Sequence, residues 1–131
     1  MATIRGSQTT TKASYPKRGE IYLASLDPAL GREIRKARPA LVIQNDVSNR
    51  LSEITIVAPI TSTVRFPLNP VHVLLAVDRN TGLSLTSVAL LNQIRAVDRM
   101  RLIKRLGTVD DATLERVDEA IKISLGLIRL G

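Results

Sequence analysis

Two features limit which residues of this chain could do chemistry: it has no cysteine, and a single histidine, His72. The first removes disulfides, thiolate metal sites and a thiol nucleophile; the second removes multi-histidine zinc sites and proton transfer between paired histidines. Guanidinium, ammonium, carboxylate and hydroxyl groups remain. They are densest in Gly31-Arg32-Glu33-Ile34-Arg35-Lys36-Ala37-Arg38, four cations around one carboxylate. An arginine presents five N–H donors in a planar fork, so the chemistry within reach is neutralisation of a polyanion. Taken alone, Glu33 among Arg32, Arg35 and Lys36 reads as part of a solvated ion-pair cluster. Arg38, just before Pro39, reads as a surface arginine at a strand start, and His72, without a second histidine, as structural rather than catalytic.

The charge distribution points the same way. Nineteen Lys and Arg against 12 Asp and Glu give a formal +7, and residues 32–105 hold 12 of the bases and 5 of the acids. Such a concentration favours a nucleic acid or an acidic protein segment as partner. Aromatic residues are only 2% of the chain, which argues against base stacking as the main mode of recognition and for a core of Val, Ile, Leu and Ala. At 131 residues there is room for one domain. No apolar run approaches the roughly 20 residues that span a bilayer, and the first 15 residues have no signal-like stretch, so a cytoplasmic location is expected.

The elements that must position these groups follow from pattern. Residues 1–14, rich in Ser, Thr and Lys, are expected to be a disordered arm, and 15–131 the folded domain. Strands are predicted over 19–26, ending at Asp27-Pro28, over 39–44, and over 54–60, with Pro59 marking a bulge or an edge. Residues 46–50 read as a turn or helical turn. A loop over 61–70 is long enough to be functional. Two more strands are predicted over 71–77 and 87–97, separated by the turn Asp78-Arg79-Asn80-Thr81-Gly82. Asp98 can cap a short helix over 99–105 that stops at Gly107. A longer helix is expected from about 111 to 130, with Leu114, Val117, Ile121, Leu125 and Ile128 on one face. Short strands followed by helices make a small antiparallel barrel or sheet packed on helices.

Several segments are more specific in combination. Arg18-Gly19-Glu20-Ile21-Tyr22, Asp27-Pro28, Gly31-x-Glu33, Arg38-Pro39-Ala40-Leu41-Val42, Asn45-Asp46 and Pro59-Ile60-Thr61-Ser62 occur in an order and spacing that resembles the MazF/PemK toxin family. Val88-Ala89-Leu90-Leu91-Asn92-Gln93-Ile94-Arg95, Gly107 and the final helix continue the likeness, which runs from about Tyr15 to the last residue. The resemblance implies a mainly β, α+β fold: an SH3-like small β-barrel of CcdB/PemK type, with short helices and a C-terminal helix. It implies a homodimeric toxin that cuts single-stranded mRNA at short motifs without a metal or cofactor, leaving a 2′,3′-cyclic phosphate and a 5′-hydroxyl, and so inhibits translation and growth. An acidic, MazE-like antitoxin would be its partner.

By the same resemblance Arg38 corresponds to the family's catalytic arginine and Thr61 to the threonine beside it. When a ribose 2′-OH attacks its own 3′-phosphate, charge builds on the phosphoryl oxygens, and a guanidinium fork with a neighbouring hydroxyl suits that centre. Arginine is a poor general base at neutral pH, so Glu33 is a candidate for orienting Arg38 or accepting a proton. Expected RNA contacts are Ser62, Arg65, Phe66, Asn45, Gln93, Arg35 and Lys36. Phe66 could instead cap the core, and Asn92 and Gln93 could instead satisfy backbone groups. Where many family members carry a Gln and glycines between the Glu and the Arg, this chain has Ile34-Arg35-Lys36-Ala37, a stiffer and more basic loop. The reaction type carries over; the cleavage motif does not. Two other readings are a CcdB-like toxin that binds gyrase without catalysis, disfavoured by the absence of Trp, and an inactive RNA-binding module.

Overall fold

The computed structural model describes residues 15–26 and 37–129. In chain order the described elements are β1 (Glu20–Ala24), β2 (Arg38–Val42), helix α1 (Asp46–Leu51), β3 (Ile54–Thr61), β4 (His72–Leu75), β5 (Ser87–Leu90), β6 (Arg95–Asp98), a 3-10 turn (Arg99–Arg101), β7 (Leu102–Thr108) and helix α2 (Asp111–Ser124). All strand pairings among them are antiparallel. The strand path is β4-β5-β3-β2-β1-β7, with β6 paired to β3 off that path.

Why β2 and β3 read as apolar runs rather than alternating strands is plain from their packing. Leu41, Ala58 and Ile60 point into one core with Ile21, Leu75 and Leu91, while Ala40, Val42 and Val57 point into a second with Ala24 and Val97. A strand buried on both faces has no polar side to show. Each such leucine or isoleucine withdrawn from water contributes about 1.5–3 kcal/mol. Helix α2 closes the first core with Val117 and Ala120, and Leu114 and Ile121 pack against it.

Two predicted elements come out differently. The stretch 87–97 is not one strand: β5 pairs with the end of β3 and β6 with its beginning, and a turn around Leu91–Gln93 separates them. Pro59, which has no N–H to give, sits where β3 changes neighbours, between Val57 opposite Arg95 and Ile60 opposite Ala89. The helix predicted over 99–105 is a strand after a single 3-10 turn. The Asp98 carboxylate does cap it, accepting from the Met100 amide at 2.9 Å, but from Leu102 onward the backbone pairs with β1, 80 or so residues away. Helix α2 ends at Ser124 rather than at 130, and Gly126, at φ +77°, follows it; Leu125 is accordingly 56% exposed.

Gly107 is therefore not a helix stop. It lies in β7, where the turn after β4 is laid across the strand: a Cβ there would fall 2.0 Å from the Asn80 carbonyl oxygen, and one on Gly82 (φ +71°) 2.1 Å from that of Leu106. Only glycines permit this approach. The Thr108 amide donates to the Asn80 carbonyl at 2.7 Å and secures it. Among the described residues β4 and β7 end the strand path without pairing to each other, so the expected small barrel is realised as an unclosed sheet whose rims are joined by this turn.

A polar clasp holds the start of β1, α1 and α2 together. The Arg18 amide donates to Asp46 Oδ1 at 2.7 Å, its Nε to the Ile43 carbonyl at 2.8 Å, and its Nη2 to Asp118. Behind it Asn49, fully buried, donates to the Gln44 carbonyl and to Asp46, and accepts from Gln44 Nε2 and from the hydroxyl of the equally buried Thr55. Every polar atom of that carboxamide has a partner, as burial requires.

Candidate active site

Arg38 opens β2 and Thr61 closes β3, two strands that lie side by side. Their register pairs Ala40 with Pro59, and its continuation by two residues sets Arg38 across from Thr61. Both side chains, with Ser62, line one surface depression of about 400 Å³. The strands end here because Ser62 begins the long loop and because Pro39, opposite Leu23 of β1, can give no ladder hydrogen bond.

The guanidinium of Arg38 is exposed, and among the described residues its one side-chain hydrogen bond runs from Nη1 to the adjacent Ala37 carbonyl at 3.2 Å. Among the described residues no other side-chain hydrogen bond is made by its fork, whose five donors suit an anion. The Thr61 hydroxyl accepts from the Thr63 amide at 3.1 Å, which fixes the oxygen and leaves its proton available to donate. Fork and hydroxyl at the rim of a hydroxyl-lined depression can bind a phosphate and stabilise charge developing on it.

The other sequence candidates are placed as follows. Glu33, Arg35 and Lys36 lie outside the described residues, as does the arm over 1–14. Arg65 and Phe66 are exposed on the loop after β3 and are not among the residues lining the depression, although Thr63 on the same loop is; Phe66, 72% exposed, does not cap the core. Asn45 is the N-cap of α1, its carboxamide oxygen accepting from the Ser48 amide at 2.8 Å, and it is not in the lining either. Asn92 and Gln93 are exposed at the turn between β5 and β6 rather than inside a strand. His72 lines a separate groove of about 540 Å³ between β4 and α2, together with Pro70, Leu74, Glu115 and Arg116.

The sequence did not point to the far wall of the depression, which is formed by Leu83, Ser84, Leu85 and Ser87. Residues 83–86 show no motif, and they reach the site only because β5 pairs with the end of β3, Val88 opposite Thr61.

Comparison with known proteins extends this picture over the chain. The sequence profile of the PemK-like, MazF-like toxins of type II toxin-antitoxin systems matches residues 17–125. Endoribonuclease EndoA of Bacillus subtilis (strain 168) is 46% identical over 112 residues, covering 86% of this chain and 96% of that protein. Among solved structures, a mycobacterial endoribonuclease in complex with its cognate antitoxin superposes with a TM-score of 0.71 at 25% identity, over 88% of this chain and 99% of its own. MazF of Deinococcus radiodurans does so with a TM-score of 0.68 at 26% identity, over 86% and 97%. With this match across both cores and through the strands that carry Arg38 and Thr61, the chain belongs to the PemK-like, MazF-like toxins of type II toxin-antitoxin systems.

Proposed function

We propose that this toxin is an endoribonuclease that cuts single-stranded RNA at the depression between the start of β2 and the end of β3. The observation that carries the reading is the convergence of an exposed guanidinium and an oriented hydroxyl on one concave surface, Arg38 and Thr61, in a member of this family.

In this mechanism the 2′-oxygen of the substrate ribose attacks the adjoining phosphorus. The P–O5′ bond breaks, the 2′-OH proton is released, and the 5′-oxygen takes up a proton, giving a 2′,3′-cyclic phosphate and a 5′-hydroxyl. Arg38 neutralises the charge that grows on the non-bridging oxygens, and Thr61 donates one hydrogen bond to the same centre. The nucleophile belongs to the substrate, so no metal-bound water and no enzyme nucleophile enters. Arg38 acts as electrostatic stabiliser rather than base, since a guanidinium presents donors and positive charge but no acceptor. Glu33 remains our candidate for orienting it.

The basic central segment supplies the attraction for RNA, and cutting mRNA would stop translation. The antitoxin-bound mycobacterial relative supports a cognate antitoxin as regulator here, which we take to be acidic against this basic chain, and we infer the homodimer that the sequence resemblance implies. No described helix is long and apolar enough to cross a membrane, and we place the protein in the cytoplasm, where its RNA substrate is. The endoribonuclease relative favours cleavage over a gyrase-binding or a merely RNA-binding role.

The test is cleavage of an unstructured RNA in excess EDTA by the native protein, by Arg38→Ala, and on RNA carrying a single deoxyribose at the cut site. Native protein should cut at a recurrent motif. The variant should be slower by about a thousandfold or more, the order expected for losing the principal transition-state anion contact. The deoxy site should be inert. Undiminished cutting by Arg38→Ala, or of the deoxy linkage, overturns the assignment.

A further inference from the structure

The wall of the depression opposite Arg38 has a composition that the bond-breaking chemistry does not explain. Arg38, Thr61, Ser62, Thr63 and Ser84 offer donors and acceptors, yet among them stands Leu85, 62% exposed. This leucine gives the polar depression an apolar rim that a ligand with an apolar face can cover, with a gain for the surface withdrawn from water.

Its backbone is held. Ser87, 4% exposed, donates from its hydroxyl to the Leu85 carbonyl at 2.8 Å. Leu83, 8% exposed, is anchored in the first core, and Gly82 just before it is clamped against Leu106. Leu85 is thus fixed at both ends of a short span, while its side chain remains outside.

Its place in the sheet is also defined. Proceeding across the strand ends, the order is Arg38 on β2, Thr61 on β3, then the segment leading into β5, where Val88 faces Thr61. A phosphate held between Arg38 and Thr61 therefore has Leu85 on the side away from Arg38. In single-stranded RNA the group that projects beside a phosphate is an unstacked base with an apolar face.

We propose that Leu85 is a specificity-determining residue for this ribonuclease: it packs on the face of one base next to the scissile linkage and selects it by shape and desolvation, while the Ser84 hydroxyl beside it is free to meet that base's edge. The inference rests on the Arg38–Thr61 cleavage reading above and goes beyond it by assigning a base contact to a residue outside the family-like motifs quoted from the sequence.

The experiment is mapping of 5′-hydroxyl ends on a long RNA of known sequence with native protein, Leu85→Ala and Leu85→Met, each at several RNA concentrations. Leu85→Ala should lower kcat/KM at the preferred motif by about tenfold, mainly through KM, and should relax preference at one position of the motif only. Leu85→Met, of similar volume, should keep the native preference. Because Leu85 is exposed, thermal unfolding should be unchanged in both. An unaltered motif with unaltered kcat/KM in Leu85→Ala overturns the inference, and so does an equal loss at every cut site. Failure of the parent reading is distinguishable: there, Arg38→Ala would cut as fast as native protein whatever Leu85→Ala does.

Discussion

Two polar regions of this protein, each holding some of the residues that carried the family likeness, differ in what their hydrogen bonds are used for. In the clasp, Asn49 and Thr55 are fully buried, and the donors and acceptors of Asn49 are all consumed by the protein itself. In the depression, Arg38 is exposed, and among the described residues its side chain makes one long hydrogen bond, to its neighbour's carbonyl. The comparison separates residues whose polar groups hold the fold from those we propose to meet RNA. Asn45 and Asp46 belong to the first kind, because one caps α1 and the other receives the Arg18 amide.

Substitutions should therefore divide cleanly. Arg38→Ala, with the largest effect, removes a thousandfold or so of activity and leaves the urea midpoint where it was, since no internal contact of weight is lost. Asn49→Ala should do the opposite. It strands the buried Thr55 hydroxyl and takes the Asn49 partner from the Gln44 carbonyl, while Gln44 Nε2 keeps its bond to the Ile54 carbonyl, costing about 2–4 kcal/mol of stability by denaturant unfolding. Its specific activity per folded molecule should stay within a few-fold of native. A variant of either residue that loses both properties together would erase the distinction.

Smaller effects sharpen it by pH. Hydrogen bonds from Thr113, side chain first and then backbone amide, hold the Asp110 carboxyl below its ordinary value at the start of α2. A lowered folded-state pKa means stability that is present above the ordinary carboxylate range and lost as pH falls through the depressed value. Asp110→Ala should lower the melting midpoint by a few degrees at neutral pH and by less in acid, and a shift of equal size at both would contradict the cap's role. At the alkaline end, burial, followed by the Glu20 carboxylate, pushes the Tyr22 phenol up to about 12. The folded state thus favours neutral phenol, with stability intact below about 10 and lost as pH rises through 12. In difference absorbance titration, native protein minus Tyr22→Phe should show a phenol titrating near 12; one titrating at its ordinary value would mean that the Tyr22 ring is solvated and apart from Glu20 in solution.

Much of the sheet was legible because its central strands are buried on both faces and therefore write themselves as apolar runs. The helical turn that became α1, and the core face of α2 from Leu114 to Ile121, were likewise visible as local patterns, whereas the capping role of Asn45 was not read from the sequence. β7 was not. Asp98 is a real cap, and the charged residues after it fit a helix, so local chemistry pointed one way while pairing with β1 decided the other. The split of 87–97 was hidden for the same reason, since only the change of partner along β3 requires it. For the depression, the positions of Arg38 and Thr61 were available from the family likeness and the strand ends together. Its opposite wall was not, because Leu83 to Ser87 have no chemistry of their own until the sheet carries them there.

The crossing of the Asn80–Gly82 turn over Leu106 and Gly107 has a bearing on solubility as well. A terminal strand with bare amides and carbonyls invites a foreign strand to dock, which is how sheets grow into aggregates. Here the chain lays its own backbone over that border, so β7 cannot serve there as a template, and the same turn runs directly on into the segment bearing Leu85.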